Sequence, residues 1–536
     1  MSREATAVKM IGVSARGYVD TTVAGISMVS EVSTSKKCRS GVDNNKGHEG
    51  GLDESDDESE GDEEDEVSLH RDPPANCVRL RPSQFKGLPA TVFFEYPLEL
   101  KILRDDESYI EPLGDRKLQY KCYWKRVCIK NAFRRAGFDL VEKSSKWTAL
   151  WSKHQNSSQL QQLGCLQKTN HFLASWCVGR KDRLMRTLNA MKRIHGHHYN
   201  FHPDGFILPV EREAFLRQVQ SDLNLFRCRT LGPISKQKLD RASLWINKPV
   251  ASSCGKGIKV LTSSQALAIG RNKKALLQRY LHSPYLIDDK KFDLRIYVVV
   301  TGVDPLRVYV HQEGLTRIST SAYSLNNTKN RFAHLTNYTI NKKSDKFVAA
   351  SVEEEEASGS NDKESFKWSL HSFKRWLSER EGEERAEKCF EDVYDLVLKT
   401  MIAAESEITP KLHTDASYRS SCYELFGCDV ILDRSLTPFL LEVNVSPSLM
   451  GSSPLDRKVK GTLISDMFHL VGFYPHDTSL AKQYEATGTF SFSSLSKLVP
   501  DSWRRDPSPH NIEWTGIGNA STIWTPLLMV DDELTR

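Results

Sequence analysis

From about residue 77 onward, short apolar runs of strand length alternate with stretches whose apolar residues recur at helical spacing. Thr91-Val92-Phe93-Phe94 predicts a strand, residues 123–136 a basic helix stopped by Gly137, and residues 138–141 a second strand. Gly179-Arg180-Lys181-Asp182-Arg183-Leu184 opens another positively charged helix, residues 203–209 close a small unit, and a helix follows from Glu211. Residues 244–280 predict strand, glycine loop, strand, helix and strand in turn. Residues 287–473 hold several strands and two long helices, one around 367–380 and one around 386–405. A polar insert at 344–363 between them reads as a mobile loop. Residues 1–75 are poor in aromatics, rich in Ser, Gly, Asp and Glu, and without period, the composition of a disordered leader.

The sharpest pattern is Cys428-Asp429-Val430-Ile431-Leu432-Asp433, a break of turn residues at 434–438, then Phe439-Leu440-Leu441-Glu442-Val443-Asn444-Val445-Ser446-Pro447. Two apolar strands joined this way form an antiparallel hairpin, and alternation puts Glu442 and Asn444 on one face. With the turn centred between Ser435 and Leu436, Asp429 lies opposite Glu442. Two carboxylates facing each other across a ladder repel, and a cation between them relieves the repulsion. Two carboxylates with an amide oxygen make an all-oxygen set suited to Mg²⁺, whose remaining ligands are commonly waters and substrate phosphates. A polar-faced edge hairpin is the simpler alternative, but the apolar flanks favour an interior position.

Charge and cysteines narrow the setting. The chain is 536 residues long, enough for two or more domains. Its eleven cysteines form no CxxC pair, which suggests a reducing compartment with thiols as core filler. No apolar run approaches the length of a membrane span, so no membrane partner is expected. The net charge of +5 hides an asymmetry: eleven of the fourteen residues 53–66 are acidic, and the remainder carries +16. A basic body with an acidic leader suits an anionic partner. Nucleic acid would satisfy the charge, but no aromatic-basic recognition module is present.

A second constellation points to phosphate. Strand 244–248 ends in Lys248 and is followed by Ser252-Ser253-Cys254-Gly255-Lys256-Gly257, where the glycines let backbone N–H groups approach a polyanion. The loop matches neither a Walker nor a Rossmann pattern, and a basic surface hairpin looks the same. In residues 290–300, Lys291, Asp293 and Arg295 share one face and Phe292, Leu294 and Ile296 the other. Burying three charges unpaired is costly, so that face meets solvent or a ligand. Arg317 and the run His334-Leu335-Thr336-Asn337-Tyr338-Thr339 add polar strand ends. Together with the carboxylate hairpin they suggest a nucleoside triphosphate cleft.

These motifs, with Gly179–Asp182, Trp245–Lys248, Gln278-Arg279-Tyr280, Lys367-Trp368 and Glu442–Ser448, run in unbroken order over about residues 170–465. The series resembles the tubulin-tyrosine-ligase-like family of ATP-grasp amino-acid ligases, most closely its glutamylating branch. The resemblance implies an α+β, ATP-grasp fold with mixed and antiparallel sheets flanked by helices. The expected organisation is a disordered acidic leader (1–75), a small α/β domain (76–200), a central ATP-grasp domain carrying the glycine loop (201–286), a C-terminal ATP-grasp domain (287–475) and a mostly irregular tail (476–536).

It also implies roles. Lys248, Cys254, Gly255, Lys256, Gly257 and Lys291 would hold phosphates. Gln278, Arg279, Tyr280 and Leu281 would receive adenine, with Phe292, Asp293, Thr336 and Asn337 also at the nucleotide. Asp429, Glu442 and Asn444 would bind Mg²⁺. Arg317, Thr339, Lys367 and Lys460 would hold the incoming amino acid. Arg295 would face the transferring phosphoryl group, forming a catalytic set with Lys256 and Glu442. The implied reaction is ATP-dependent joining of free L-glutamate to a glutamate side chain of tubulin, by a monomer of the cytoplasm and microtubule cytoskeleton, the cilium, basal body or centriole included. Cys254 stands where relatives often carry Arg, and Val445 where chain-lengthening members tend to carry His, which leans toward starting a branch. Alternatives are a glycine or tyrosine ligase of the same family, and a catalytically silent microtubule-binding relative.

Overall fold

The computed structural model describes residues 76–83, 89–96, 108–114, 116–124, 126–229, 243–250, 255–347, 365–475 and 524–529. The expected acidic leader, most of the polar insert, most of the tail and Cys254 lie outside them.

Two small sheets open the described part. Cys77–Arg81 (β1) pairs antiparallel with Thr91–Val92 (β2) and Tyr109–Pro112 (β3). Gln119–Cys122 (β4), Asp139–Leu140 (β5), Ala149–Trp151 (β6) and Lys168–Thr169 (β7) form a parallel sheet in the order β5-β4-β6-β7. Val127–Arg135 (α1) crosses between β4 and β5. It begins four residues later than its composition predicts, because Tyr123 still donates its N–H to Trp151 O at 2.9 Å and so extends the sheet. It ends where expected: Gly137 takes φ +83°, a conformation that L side chains rarely adopt. Ile129 and Phe133, one turn apart, are its buried positions. Phe133 packs with Phe94, Phe138, Phe468 and Phe473.

Ser157–Gln161 (α2), Trp176–Gly179 (α3) and Lys181–His195 (α4) follow. Next come Gly205–Leu208 (β8), Arg212–Arg229 (α5), Leu244–Lys248 (β9), Lys259–Thr262 (β10), Ser263–Leu267 (α6) and Ala275–Arg279 (β11). The four strands make an antiparallel sheet, β10-β9-β11-β8, over a core of Phe215, Trp245 and Leu277. Thr262 and Gln265 cap α6 reciprocally. The predicted order of strand, glycine loop, strand, helix, strand is the observed one.

The large sheet is organised by one long strand. Leu286–Ile287 (β12) turns into Lys290–Val303 (β13), followed by Leu306–His311 (β14) and Leu315–Ala322 (β15). One edge of β13 carries β15 and then β14; the other carries β12 and Glu424–Leu432 (β17). Arg331–His334 (α7), Tyr338–Asn341 (α8) and Lys367–Ser369 (β16) precede the two long helices, Leu370–Glu381 (α9) and Glu383–Asp415 (α10). Lys367, expected at the start of a helix, lies in β16 instead, because the Ser369 side chain caps the helix two residues later. Pro438–Asn444 (β18) pairs with β17, and Pro454–Val471 (α11) follows. Trp524–Met529 (β19), inside the stretch expected to be irregular, pairs with β14. Among the described residues no helix is long and apolar enough to cross a membrane. This is an α+β fold of the ATP-grasp type.

Candidate active site

The hairpin has the register its alternation predicts: Asp429 is the cross-strand partner of Glu442, with an irregularity immediately after Asp429. Every residue of β17 is buried, so the hairpin is interior rather than a polar edge. The repulsion expected between the carboxylates is already relieved by protein cations. Arg295 donates to Asp429 from Nε at 2.6 Å and from a terminal nitrogen at 3.2 Å. Arg317 stands 2.7 Å from the same carboxylate, and Lys181 Nζ lies 3.3 Å from Glu442. Burial would raise the Asp429 carboxyl, but Arg295 and Arg317 hold it well below the usual range.

Both carboxylates line a cleft of about 690 Å³, open mouth included, between the β8–β11 sheet and the large sheet. Lys248 projects into it from β9, donating to Gln278 Oε1 at 2.8 Å and Leu441 O at 3.3 Å. Lys291 projects from β13, donating to Tyr280 Oη and His334 O, both at 3.2 Å. Burial lowers both lysines to about 8. Asp293 receives Arg317 at 2.7 and 2.6 Å and the Thr336 hydroxyl at 2.7 Å. The charged face predicted for β13 is therefore buried and paired beside the cleft. Its other face enters the core: Phe292 is fully buried and packs on Phe373, so it does not line the cleft as expected of a nucleotide contact.

Gln278, Arg279, Tyr280 and Leu281 form one wall. The Arg279 side chain turns outward to Asp222 and the Trp245 ring. Asn337 closes the cleft beside the glycine loop. Gly255 and Gly257 take φ +70° and +73°, and a Cβ on Gly255 would sit 2.8 Å from Asn337 Oδ1. Lys256, between them, is exposed.

The four residues expected at the amino-acid substrate divide into groups. Lys367 and Lys460 meet on one carboxylate, Asp456, at 2.5 and 2.9 Å. Burial would raise Asp456, but Lys460 and Lys367 hold it at about 2. Lys367 also lies 4.3 Å over the Tyr338 ring, next to Thr339 in α8. Arg317 is spent on Asp293 and Asp429 instead.

The profile of the tubulin-tyrosine ligase family matches residues 157–480, more than half of the chain and all of the cleft. The chain belongs to the tubulin-tyrosine ligase family. It is 36% identical over 399 residues to human tubulin monoglutamylase TTLL4, covering 73% of this chain and 30% of that protein. It is 36% identical over 422 residues to human tubulin polyglutamylase TTLL5, covering 77% and 30%. Against the Caenorhabditis elegans tubulin polyglutamylase ttll-4 the identity is 32% over 403 residues, covering 74% and 60%. The chain thus spans about a third of the two human relatives' length.

In this family member the donor set fits a hard divalent cation. Glu442 faces the cleft; Asn444 is not among its lining residues, and it donates Nδ2 to Gly427 O at 3.1 Å, which leaves its Oδ1 available as an oxygen donor. Asp429 adds a third oxygen donor, shared with its guanidinium partners. Sequence reading assigned no role to Lys181, His334 or Asp456. Lys181 and His334 sit inside runs already singled out, Gly179–Asp182 and His334–Thr339, while the signal for Asp456 is the Ser453-x-x-Asp456 helix start with Lys460 one turn on.

Proposed function

We propose that the chain is an ATP-dependent ligase that joins free glutamate through its amine to a glutamate side chain of an acidic polypeptide, tubulin tails being the acceptor that the relatives' names suggest. The observation that carries this reading is the Asp429–Glu442 pair at the end of a cleft whose walls present two buried lysines. A carboxylate is a poor acylating agent because oxide is a poor leaving group. Phosphorylation by ATP converts it to an acyl phosphate, from which the incoming amine expels phosphate. Lys248 and Lys291 supply fixed positive charge for the triphosphate, placed where water is largely excluded. Mg²⁺, held by Glu442, Asn444 and Asp429, would neutralise charge on the transferring group. The Gly255–Gly257 loop, packed against Asn337, would cover the phosphates. Lys367 and Lys460, oriented by Asp456, offer cationic partners to the carboxylates of the incoming amino acid.

Val445, following Asn444, favours branch initiation, in keeping with the name of the human monoglutamylase relative. The protein would then act on the microtubule cytoskeleton. Incorporation of labelled glutamate, glycine and tyrosine into microtubules by the purified chain tests the reading. Glutamate alone, and only with Mg-ATP, supports it; glycine or tyrosine in its place reassigns the amino acid.

A further inference from the structure

Beside the cleft lies a second pocket, of about 320 Å³, whose lining includes Trp124, Arg126, Trp151, His171, Ser446 and Pro447. Two of these side chains are more than nine-tenths buried and carry an orphaned polar nitrogen: among the described residues, Trp151 Nε1 and His171 Nε2 have no hydrogen-bond partner. Buried polar groups are nearly always satisfied, so two orphaned nitrogens among the residues lining one cavity point to a missing partner. Arg126 sits at the same wall with its guanidinium 4.7 Å over the Trp124 ring and, among the described residues, no carboxylate partner. It is also the N-cap of α1, whose first turn holds no acidic side chain. The side-chain amide of Asn170, also in the lining, is spent on the Ser152 backbone at 2.9 and 3.1 Å.

The state of His171 follows from what lies behind it. Its Nδ1 is 2.7 Å from Glu424 Oε1, inside a fully buried cluster. Burial pushes Glu424 up to about 8 and His171 down to about 3, which favours the neutral form of each. With the carboxyl protonated it donates to Nδ1, and the ring hydrogen then lies on Nε2.

Indole N–H and guanidinium are donors in every state, and the imidazole joins them when its hydrogen is on Nε2. We propose that this pocket is a carboxylate subsite, and that its occupant is an acidic side chain of the acceptor polypeptide flanking the residue to be modified. Position favours that source over the free amino acid: Ser446 and Pro447 lie two and three residues beyond Asn444 of the candidate metal set, whereas Lys367, Asp456 and Lys460 are not among the pocket's lining residues. The choice of occupant rests on the ligase reading; the subsite itself does not.

Calorimetric titration of the full chain with a glutamate-rich decapeptide, and separately with free L-glutamate, tests this in wild type, Arg126→Gln and Trp151→Phe. The second variant keeps the buried ring and removes only the N–H; the first alters a half-buried residue, and thermal melts check both. Each variant weakens peptide binding by about tenfold, the effect of one hydrogen bond to a charged group, while Mg-ATP affinity is unchanged. A matching loss for free glutamate keeps the carboxylate subsite but overturns the acceptor as its occupant. Wild-type affinity for both ligands in both variants, or no binding by wild type, overturns the subsite. Variant-sensitive peptide binding without ATP-dependent glutamate transfer would sink the ligase reading and leave the subsite standing.

Discussion

Arg295 and Asp429 stand opposite each other on β13 and β17, and the guanidinium grips both carboxylate oxygens, at 2.6 and 3.2 Å. Arg317 reaches the same carboxylate at 2.7 Å and bridges it to Asp293. All four groups are nearly buried, so the charge of Asp429 supports two guanidinium groups that have lost their water. Asp429→Asn should therefore destabilise the fold by about 3–5 kcal/mol, the usual cost of breaking a buried pair from one side. Urea denaturation measures it, and a loss below about 1 kcal/mol would contradict the clamp.

Its cross-strand partner should behave oppositely. The Glu442 side chain is 22% exposed and, among the described residues, has a single ion pair, 3.3 Å to Lys181, so its charge matters little to folding. Glu442→Gln is expected to leave the thermal midpoint within a few degrees of wild type while abolishing ligation. Retained activity would remove Glu442 from the metal set.

Lys248 and Lys291 give nucleotide binding a pH dependence. Burial lowers each to about 8, so in the free protein both are charged at pH 7 and lose that charge as pH rises through 8. Bound phosphates favour the charged form, so binding at pH 8 takes up protons and affinity falls above it. Titration of Mg-ATP from pH 7 to 9.5, in two buffers of different ionisation enthalpy, checks both effects. Constant affinity with no proton uptake would contradict the assignment.

The buried Glu424 cluster should show in stability. The folded pKa of Glu424 is about 8 against an ordinary 4.5, so between those values the folded chain holds a proton that the unfolded chain has lost. Stability then falls as pH rises across that window. His154 and His171 act in the other direction below 6.5, being held down to about 4 and 3. The uncompensated fall thus lies between pH 6.5 and 8, at up to about 1.4 kcal/mol per pH unit for one proton. Glu424→Gln should flatten it; urea midpoints at four pH values in that range decide, and an unchanged slope would refute the assignment.

What the chain disclosed follows from how local each feature is. The Asp429–Glu442 pairing was legible from period-two alternation along the two strands, whereas the one-residue shift between it and the turn, which pairs Val430 with Leu440, was not. The face shared by Lys291, Asp293 and Arg295 was legible for the same reason. Their partners were not: Arg295 and Asp429 are 134 positions apart, and His171 and Glu424 are 253 apart, so only tertiary structure joins them. Phe292 shows the converse, since a motif placed it at the nucleotide while strand alternation, read strictly, sends it to the core. Lys367 was misplaced because a three-residue strand runs directly into a helix, and only the Ser369 cap marks the boundary.

The central claim is that a carboxylate is activated by phosphoryl transfer in the Asp429–Glu442 cleft. An acceptor peptide with ¹⁸O in its glutamate side chains, incubated with the chain, Mg-ATP and unlabelled glutamate, tests it directly by mass analysis of the released phosphate. One ¹⁸O in inorganic phosphate for each bond formed, with ADP as the nucleotide product, is the predicted result. Unlabelled phosphate, or ¹⁸O in AMP, would contradict it.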